Sequence, residues 1–324
     1  MTATTENHRD SRRLSVTAPP AAGRSRGDRD RSKNWGRRLP LLPALIFLLV
    51  VTQLPFLVTL VLSFVNWNAL YPDDIYFAGF DNYAEVFNDS MLRGAVFATV
   101  ALTVSVVLVS VVIGLGIALL LDRDFRGRAI VRTIMIAPFL IVPAAAALVW
   151  KHALYNPEYG LFNGLLNWLF GLFGAPAPQP EWISDAPLVA VEVALIWQWT
   201  PFMMLILLAG LQSKPLDVLE AARMDGASTW QTFRFITFPH LRRYLELAIL
   251  LGTIYIVQNF DAVYTITSGG LGSANLPYMI YQEFFVAQDY GAASAAGVLV
   301  LIPTLVIAML VLRLASTLLK EEKQ

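Results

Sequence analysis

Two stretches of the chain concentrate side chains that can do chemistry. The first is Tyr255-Ile-Val-Gln258-Asn259-Phe-Asp261-Ala-Val-Tyr264, a polar run inside an otherwise apolar segment. On a continuous helix Tyr255, Gln258 and Asn259 share one face at i, i+3 and i+4, and Gln258 and Asp261 are again i, i+3. Amides and a carboxylate satisfy hydroxyl groups, and aromatic rings stack on C–H faces, so this set suits a polyhydroxylated solute. Trp197, Gln198 and Trp199 offer the same inventory upstream. The competing reading is hydrogen-bonded glue between helices, a common use of amides in an apolar solvent.

The second stretch is Lys214–Arg243. Residues Leu216–Asp225 are good helix formers, and Gly226 suits a helix C-cap. Ser228 or Thr229 can cap a second short helix, with Trp230, Phe233, Phe235 and Ile236 free to pack on the rest of the protein and Pro239 ending it. Two short helices meeting at a glycine corner make a rigid object for a docked partner to push on. An ordinary amphipathic loop is the plainer alternative.

Other chemistries are excluded by what is missing. The sequence has no cysteine and only three histidines, His8, His152 and His240, which argues against a thiolate nucleophile or a resident metal centre. No catalytic set gathers, so no catalytic or metal-binding residues are assigned. No G-x-x-x-x-G-K-[ST] stretch occurs, so the chain has no P-loop and binds no nucleotide cofactor by that route. Nothing points to nucleic acid. Asn88-Asp-Ser90 matches a glycosylation sequon by chance, and Gly114-Leu-Gly116 reads as helix packing.

The elements that must position these residues follow from composition. Of 324 residues, 56% are hydrophobic and 15% charged, and the mean hydropathy is +0.56. A soluble fold cannot hide that much apolar surface, so the expectation is an all-α, multi-pass membrane protein. A bilayer core of ~30 Å takes roughly 20 apolar residues as a helix. Six segments qualify, at about 40–64, 94–121, 130–150, 187–211, 244–266 and 292–315. Pro43, Pro55, Pro138, Pro143, Pro201 and Pro303 fall within them and read mostly as packing kinks. Residues 159–180 carry no charge, but glycines and prolines interrupt them, so they read as an amphipathic surface helix. A charge at the bilayer centre costs roughly 2.5–3.5 kcal/mol, so Glu192 and Glu246 read as interfacial and Asp261 as the deeper carboxylate. Residues 1–38 read as a disordered basic tail, 39–318 as the membrane domain and 319–324 as a short C-terminus. Of the 24 Lys and Arg residues, 22 fall in the tail, the even loops and the C-terminus. The positive-inside rule therefore places both termini in the cytoplasm.

The pattern Glu220-Ala221-Ala222, then Asp225-Gly226, then Ile236-x-x-Pro239 resembles the signature loop of binding-protein-dependent ABC transporter permeases. Asp225-Gly-Ala and Trp230-x-x-Phe233 resemble the maltose-type carbohydrate branch. The likeness runs over roughly residues 40–318 and takes in Phe80-Asp-Asn-Tyr83, Gly160-Leu-Phe-Asn163, Trp197-x-x-x-Pro201-Phe202 and Thr267-Ser-Gly-Gly270. Gly270-Leu271-Gly272, where many relatives have proline, and Asn259-Phe-Asp261 resemble the subset that imports the polyols mannitol and sorbitol. The resemblance implies a type I importer permease in a bacterial inner membrane. Its partners would be a second permease, two cytoplasmic ATPases that bind ATP and Mg, an extracytoplasmic solute-binding protein and a sugar or polyol. It also implies that Glu220, Ala221, Ala222, Asp225, Gly226, Ile236 and Pro239 couple to the ATPase. On the chemistry of their side chains, Trp197, Trp199, Tyr255, Gln258, Asn259, Asp261 and Tyr264 are the candidates to line the path. The alternative functions are a stand-alone secondary transporter or channel and a membrane-embedded enzyme.

Overall fold

The computed structural model describes residues 41–301. It is helical apart from one two-residue ribbon pair. The chain divides at Phe56/Leu57, inside its first helix, into two units. The described part of the first unit is the apolar start of α1 (Leu42–Leu62), where Thr52 Oγ1 donates to Leu48 O at 2.7 Å and so hides its polar group in its own helix.

The second unit is organised on α8 (Pro187–Gln212). Against it pack α3 (Ser90–Leu121), α4 (Arg128–Leu140) and α11 (Phe238–Val257). The buried positions recur at helical spacing. They are Leu102, Val106, Val107 and Val111 on α3, Met203, Met204, Leu207, Leu208 and Leu211 on α8, and Leu241, Ala248 and Ile256 on α11. In lipid, apolar helices gain nothing from hiding from water, so close packing of small residues has to hold them. At the α3–α8 crossing a Cβ on Gly114 would sit 2.9 Å from Met204 N and 3.1 Å from Met203 Cβ. Gly116, two residues on, faces open space, so only the first glycine of the Gly-Leu-Gly pair is a packing glycine.

Among the described residues, three helices are long and apolar enough to cross a membrane, namely Leu42–Leu62, Ser90–Leu121 and Pro187–Gln212. The other three expected spans are modified or incomplete. Residues 130–150 are not one kinked helix: α4 ends at Leu140, α5 (Pro143–Leu148) runs on in a wide turn to Leu154, and the two pieces lie at 95°. Pro143 explains this, because proline drives the preceding residue out of the helical region, and Val142 is extended at φ −56°, ψ 130°. By contrast, Pro201 is buried within an unbroken α8. The fifth span begins inside the expected loop, at Phe238, and stops at Val257. Of the sixth, Tyr290–Leu301 is described as α13. The rest of it, and the expected tails at 1–38 and 319–324, lie outside the described residues.

Outside these helices the connections are tied by polar side chains. Beyond α1, β1 (Val65–Asn66) pairs antiparallel with β2 (Tyr76–Phe77), with Val65 opposite Phe77. On α2 (Asp81–Asn88) the buried Asn82 amide donates to Ser63 O at 3.0 Å and Val65 O at 2.9 Å, and Tyr83 OH meets Ser63 Oγ at 2.6 Å. That is the physical content of Phe80-Asp-Asn-Tyr83. The uncharged stretch 159–180 forms only α6 (Leu161–Gly171), about 16 Å long and too short to span. Asn163 turns inward from it, donates to Pro157 O and Pro180 O, and accepts at 2.8 Å from Trp182 Nε1 on α7 (Trp182–Asp185). Leu165, Trp168 and Phe173 face outward.

Carboxylates crowd the segments joining α2 to α3 and leading into α13. Asp89 Oδ1 accepts from Met91 N, and Asp289 Oδ1 accepts from Ala292 N. Glu283 lies half-buried beside them, and burial, reinforced by the charges of Asp289, Asp89 and Glu85, holds its carboxyl above the usual range.

Two outcomes follow. Gly114→Val should cost roughly 1–3 kcal/mol by overpacking the α3–α8 crossing, lowering the melting temperature of the detergent-solubilised protein, while Gly116→Val leaves it nearly unchanged. Because the raised Glu283 carboxyl favours the protonated form when folded, its stability contribution is full at acid pH and lost as pH rises through the raised pKa. Glu283→Gln should therefore raise the melting temperature at pH 7.5, and the gain should vanish below the ordinary carboxylate range.

Candidate functional site

The loop after α8 folds as two capped helices. In α9 (Leu216–Met224) the chain carries Glu220 and Ala221 exposed and Ala222 half-buried. Asp225 caps it and Gly226 takes φ +81°. The N–H of Gly226 donates to Arg223 O at 3.1 Å and that of Ala227 to Ala222 O at 2.9 Å, which closes both bonds of a Schellman turn. A Cβ on Gly226 would meet nothing within 4 Å, so its requirement is purely the left-handed backbone. Of the two candidate caps, Ser228 is the one used: it accepts from Gln231 N, while Gln231 Oε1 accepts from Ser228 N at 2.8 Å.

Two expectations fail here. Pro239 does not end the second helix. From α10 (Thr229–Thr232) the chain stays helical through a wide turn, Phe233–Thr237, into α11. Phe238 N reaches back to Phe233 O, one residue further than in an α-helix, and the widened turn makes room for a proline ring that would otherwise strike the preceding turn. Nor do Trp230 and Phe235 pack inward, being 66% and 68% exposed. Trp230 stacks on Phe233 at 5.7 Å instead. Leu216 and Met224 are exposed as well, and a cleft of about 350 Å³ opens between the glycine corner, Phe235 and Ile236. The loop thus presents an apolar surface beside the Glu220 carboxylate.

The path residues do not form one face. Trp199 stacks on Tyr255 at 5.2 Å, and Phe139 and Phe202 complete that cluster. Trp197 lies elsewhere, edge-on to Trp150 at 5.7 Å, because residues two apart on a helix point to opposite sides. Gln198 is buried and donates to Ile141 O at 3.2 Å, meeting a carbonyl released by the 95° bend. The helix carrying Tyr255 breaks at Gln258–Phe260, so the i, i+3 and i+4 alignment of Tyr255, Gln258 and Asn259 does not continue to Asp261. Gln258 is exposed at the break and Asp261 half-buried just past it. Asn259 Oδ1 is buried without a hydrogen-bond partner. Tyr264 stacks on Phe260 at 5.1 Å and meets Tyr281 at 5.2 Å, a second aromatic group further along the chain.

Sequence reading passed over Asn275. Its Nδ2 donates to Asn259 O, closing the break, and its Oδ1 accepts from Tyr278 N as the cap of α12 (Leu276–Tyr281). Asn immediately before Leu-Pro is a helix-start signal and was legible as such. Leu276 N in turn donates to Thr99 Oγ1 on α3. Of the other carboxylates, Glu246 pairs with Arg242 at 3.0 Å one turn away. Glu192 accepts from Ser105 Oγ, near the middle of α3, at 2.7 Å. Among the described residues no group of three or more His, Asp or Glu side chains could hold a metal ion.

Residues 110–320 match the family described as binding-protein-dependent transport system inner membrane component. A probable ABC transporter permease, y4oQ of Sinorhizobium fredii, is 35% identical over 78% of this chain and 81% of its own. The trehalose/maltose transport system permease protein MalF of Thermococcus litoralis is 34% identical over 81% of this chain and 87% of its own. The trehalose transport system permease protein SugA of Mycobacterium tuberculosis is 32% identical over 84% and 86%. A chain from the crystal structure of a bacterial ABC transporter that imports alginate superposes with a TM-score of 0.76 over 90% of this chain and 99% of that one, at 21% identity, which shows a shared fold. With the signature loop folded as a closed corner and the family match covering most of the helices around α8, this chain belongs to the inner-membrane permease components of binding-protein-dependent transport systems.

Proposed function

We propose that the chain forms half of the translocation path of an ATP-driven carbohydrate importer and takes up force from an ATPase through Glu220–Pro239. The observation that carries this is the loop: a Schellman corner and a capping box fix its shape, while Glu220, Met224, Trp230 and Phe235 remain exposed on it. A surface that is rigid, apolar and solvent-facing is an interface awaiting a partner. Here Glu220 would meet a basic side chain of the ATPase, and Ala221, Ala222, Asp225, Gly226, Ile236 and Pro239 would shape the contact. ATP and Mg would be bound by two such ATPase subunits, not by this chain. A second permease would close the path, and an extracytoplasmic binding protein would deliver the solute. Six spans with both termini in the cytoplasm put the loop on the same side as the ATPase.

Relatives named for trehalose and maltose support a sugar over the acyclic polyols mannitol and sorbitol. Within the path, Trp199 and Tyr255 would stack on the C–H face of a sugar ring, with Gln258, Asn259 and Asp261 beyond them for hydroxyls and Tyr264 further out. Trp197, packed against Trp150, would support the path from behind.

Trp199→Ala should lower uptake of radiolabelled trehalose, the first probe to try, about five-fold, the equivalent of ~1 kcal/mol of stacking. Asp261→Asn and Asn259→Ala should impair uptake too, with ATPase assembly unchanged. Loss of assembly in these variants would mean that they glue subunits together. For the loop, Glu220→Lys and Gly226→Val should cut ATPase co-purification at least ten-fold. Gly226→Asn, which tolerates positive φ, should retain most of it. Normal ATPase recovery and stimulated hydrolysis in both Glu220→Lys and Gly226→Val would sink the docking assignment.

A further inference from the structure

We infer that Ser213, His240 and Tyr244, with the Asp122–Lys214 ion pair, clamp the base of the loop and transmit its movement to three membrane helices at once. This rests on the reading of the loop as the ATPase-docking element. Ser213 caps the end of α8 and is the last residue before the loop. Its Oγ lies 2.9 Å from Gly210 O, 3.0 Å from His240 Nε2 and 2.7 Å from Tyr244 OH. A serine hydroxyl has one proton and two lone pairs. If it donates to the Gly210 carbonyl, both other partners must donate to it. Tyr244 OH can do so, and so can His240 in its Nε2–H form or as imidazolium. All three contacts are then satisfied.

The fit is specific on the other side as well. A Cβ on Gly210 would come within 2.6 Å of the Tyr244 ring, so the tyrosine reaches Ser213 only by lying over a glycine. One residue further on, Lys214 Nζ is 2.9 Å from Asp122 Oδ2, with side chains only 13% and 26% exposed. Asp122 caps the C-terminal end of α3, where a carboxylate opposes the helix dipole and a cation is the favoured choice. The lysine offsets that conflict. The entry to the loop is thereby fixed to the end of α3, and to the first turns of α11 where the loop exits. The loop cannot shift without α3, α8 and α11 responding. None of these five residues lies on the exposed docking surface of Glu220, Met224, Trp230 and Phe235, so docking and transmission can be separated by mutation.

The absence of cysteine from the chain makes the test clean, because a single cysteine at Gln258, exposed at the break in α11, reports span movement. The complete complex, co-expressed with its partner permease, ATPase and binding protein, is placed in nanodiscs. A membrane-impermeant maleimide should then label Gln258→Cys at rates differing at least five-fold between nucleotide-free and Mg-ATP/vanadate-trapped states. In that background Ser213→Ala/Tyr244→Phe and Asp122→Asn should retain ATPase, yet the rate ratio should fall below two-fold. His240→Gln, which keeps a donor, and the swap Asp122→Lys/Lys214→Asp should restore most of the ratio. A full ratio in Ser213→Ala/Tyr244→Phe would overturn the clamp. So would loss of ATPase binding in Tyr244→Phe, which would make the residue part of docking or folding, or a parent Gln258→Cys that ignores nucleotide. Glu220→Lys separates the two readings. Normal ATPase recovery and stimulated hydrolysis in that variant and in Gly226→Val together sink the docking assignment, whatever the clamp variants show.

Discussion

A backbone carbonyl freed inside an apolar layer must find a donor within the protein, since no water is there to supply one. Three such carbonyls mark where the described helices break or end, and a polar side chain reaches each. Gln198 donates to Ile141 O at the 95° bend, Asn275 to Asn259 O at the end of α11, and Lys151 to Thr265 O at 2.8 Å beyond it. An unmet amide group in such surroundings costs several kcal/mol, more than a typical helix contact returns. The irregular backbone near the expected path depends on these three donors, and so does the placement of Tyr255, Gln258, Asp261 and Tyr264 along it. Gln198, which has the chemistry of a solute ligand, is committed to holding the scaffold.

Around these donors the helices are brought close by the absence of side-chain bulk. Gly114 admits Met203 and Met204, and α13 is buried all round over Ala292, Ala293, Ser294, Ala295 and Ala296. At the turn following residue 267, Ser268 and Gly269 adopt positive φ, and a Cβ on Gly269 would lie 2.2 Å from the Tyr278 ring. The Thr-Ser-Gly-Gly sequence is therefore a tight reversal against an aromatic wall, and Thr267 Oγ1 accepts from Ser273 Oγ at 2.7 Å to close it.

Much of this was legible in the residues themselves. Gly226 with helix formers before it and Ser228 after it specified the loop corner, because local backbone preferences and caps act over only a few residues. The membrane class followed from composition, since no soluble core could absorb that apolar surface. Long-range facts were not legible. Whether Pro143 kinks or breaks a helix depends on whether a donor such as Gln198, 55 residues away, is on hand. The face shared by Tyr255, Gln258 and Asn259, with Asp261 following Gln258 at i+3, assumed a continuous helix, and the break at Gln258 is stabilised by Asn275, on a different segment. Trp197 and Trp199 were grouped by composition, although a two-residue step sends them to opposite sides. Trp230 and Phe235 were expected inside because they are apolar, and sequence alone does not distinguish a core face from an interface.

The wide turn at Phe233–Thr237 has one mechanical consequence. Because helical geometry persists through it, Thr229–Val257 is one continuous helical stretch that begins on the loop surface and ends at the break beside Gln258. Tyr244, the proposed clamp residue, lies near its middle, with 15 residues before it and 13 after, or arms of about 22 and 20 Å at 1.5 Å per residue. A lever with arms that nearly equal neither amplifies nor attenuates. With Tyr244 as the fulcrum, a tilt that carried Trp230 one way would carry the neighbourhood of Gln258 a similar distance the other way, so an inward push at one end would be an opening at the other.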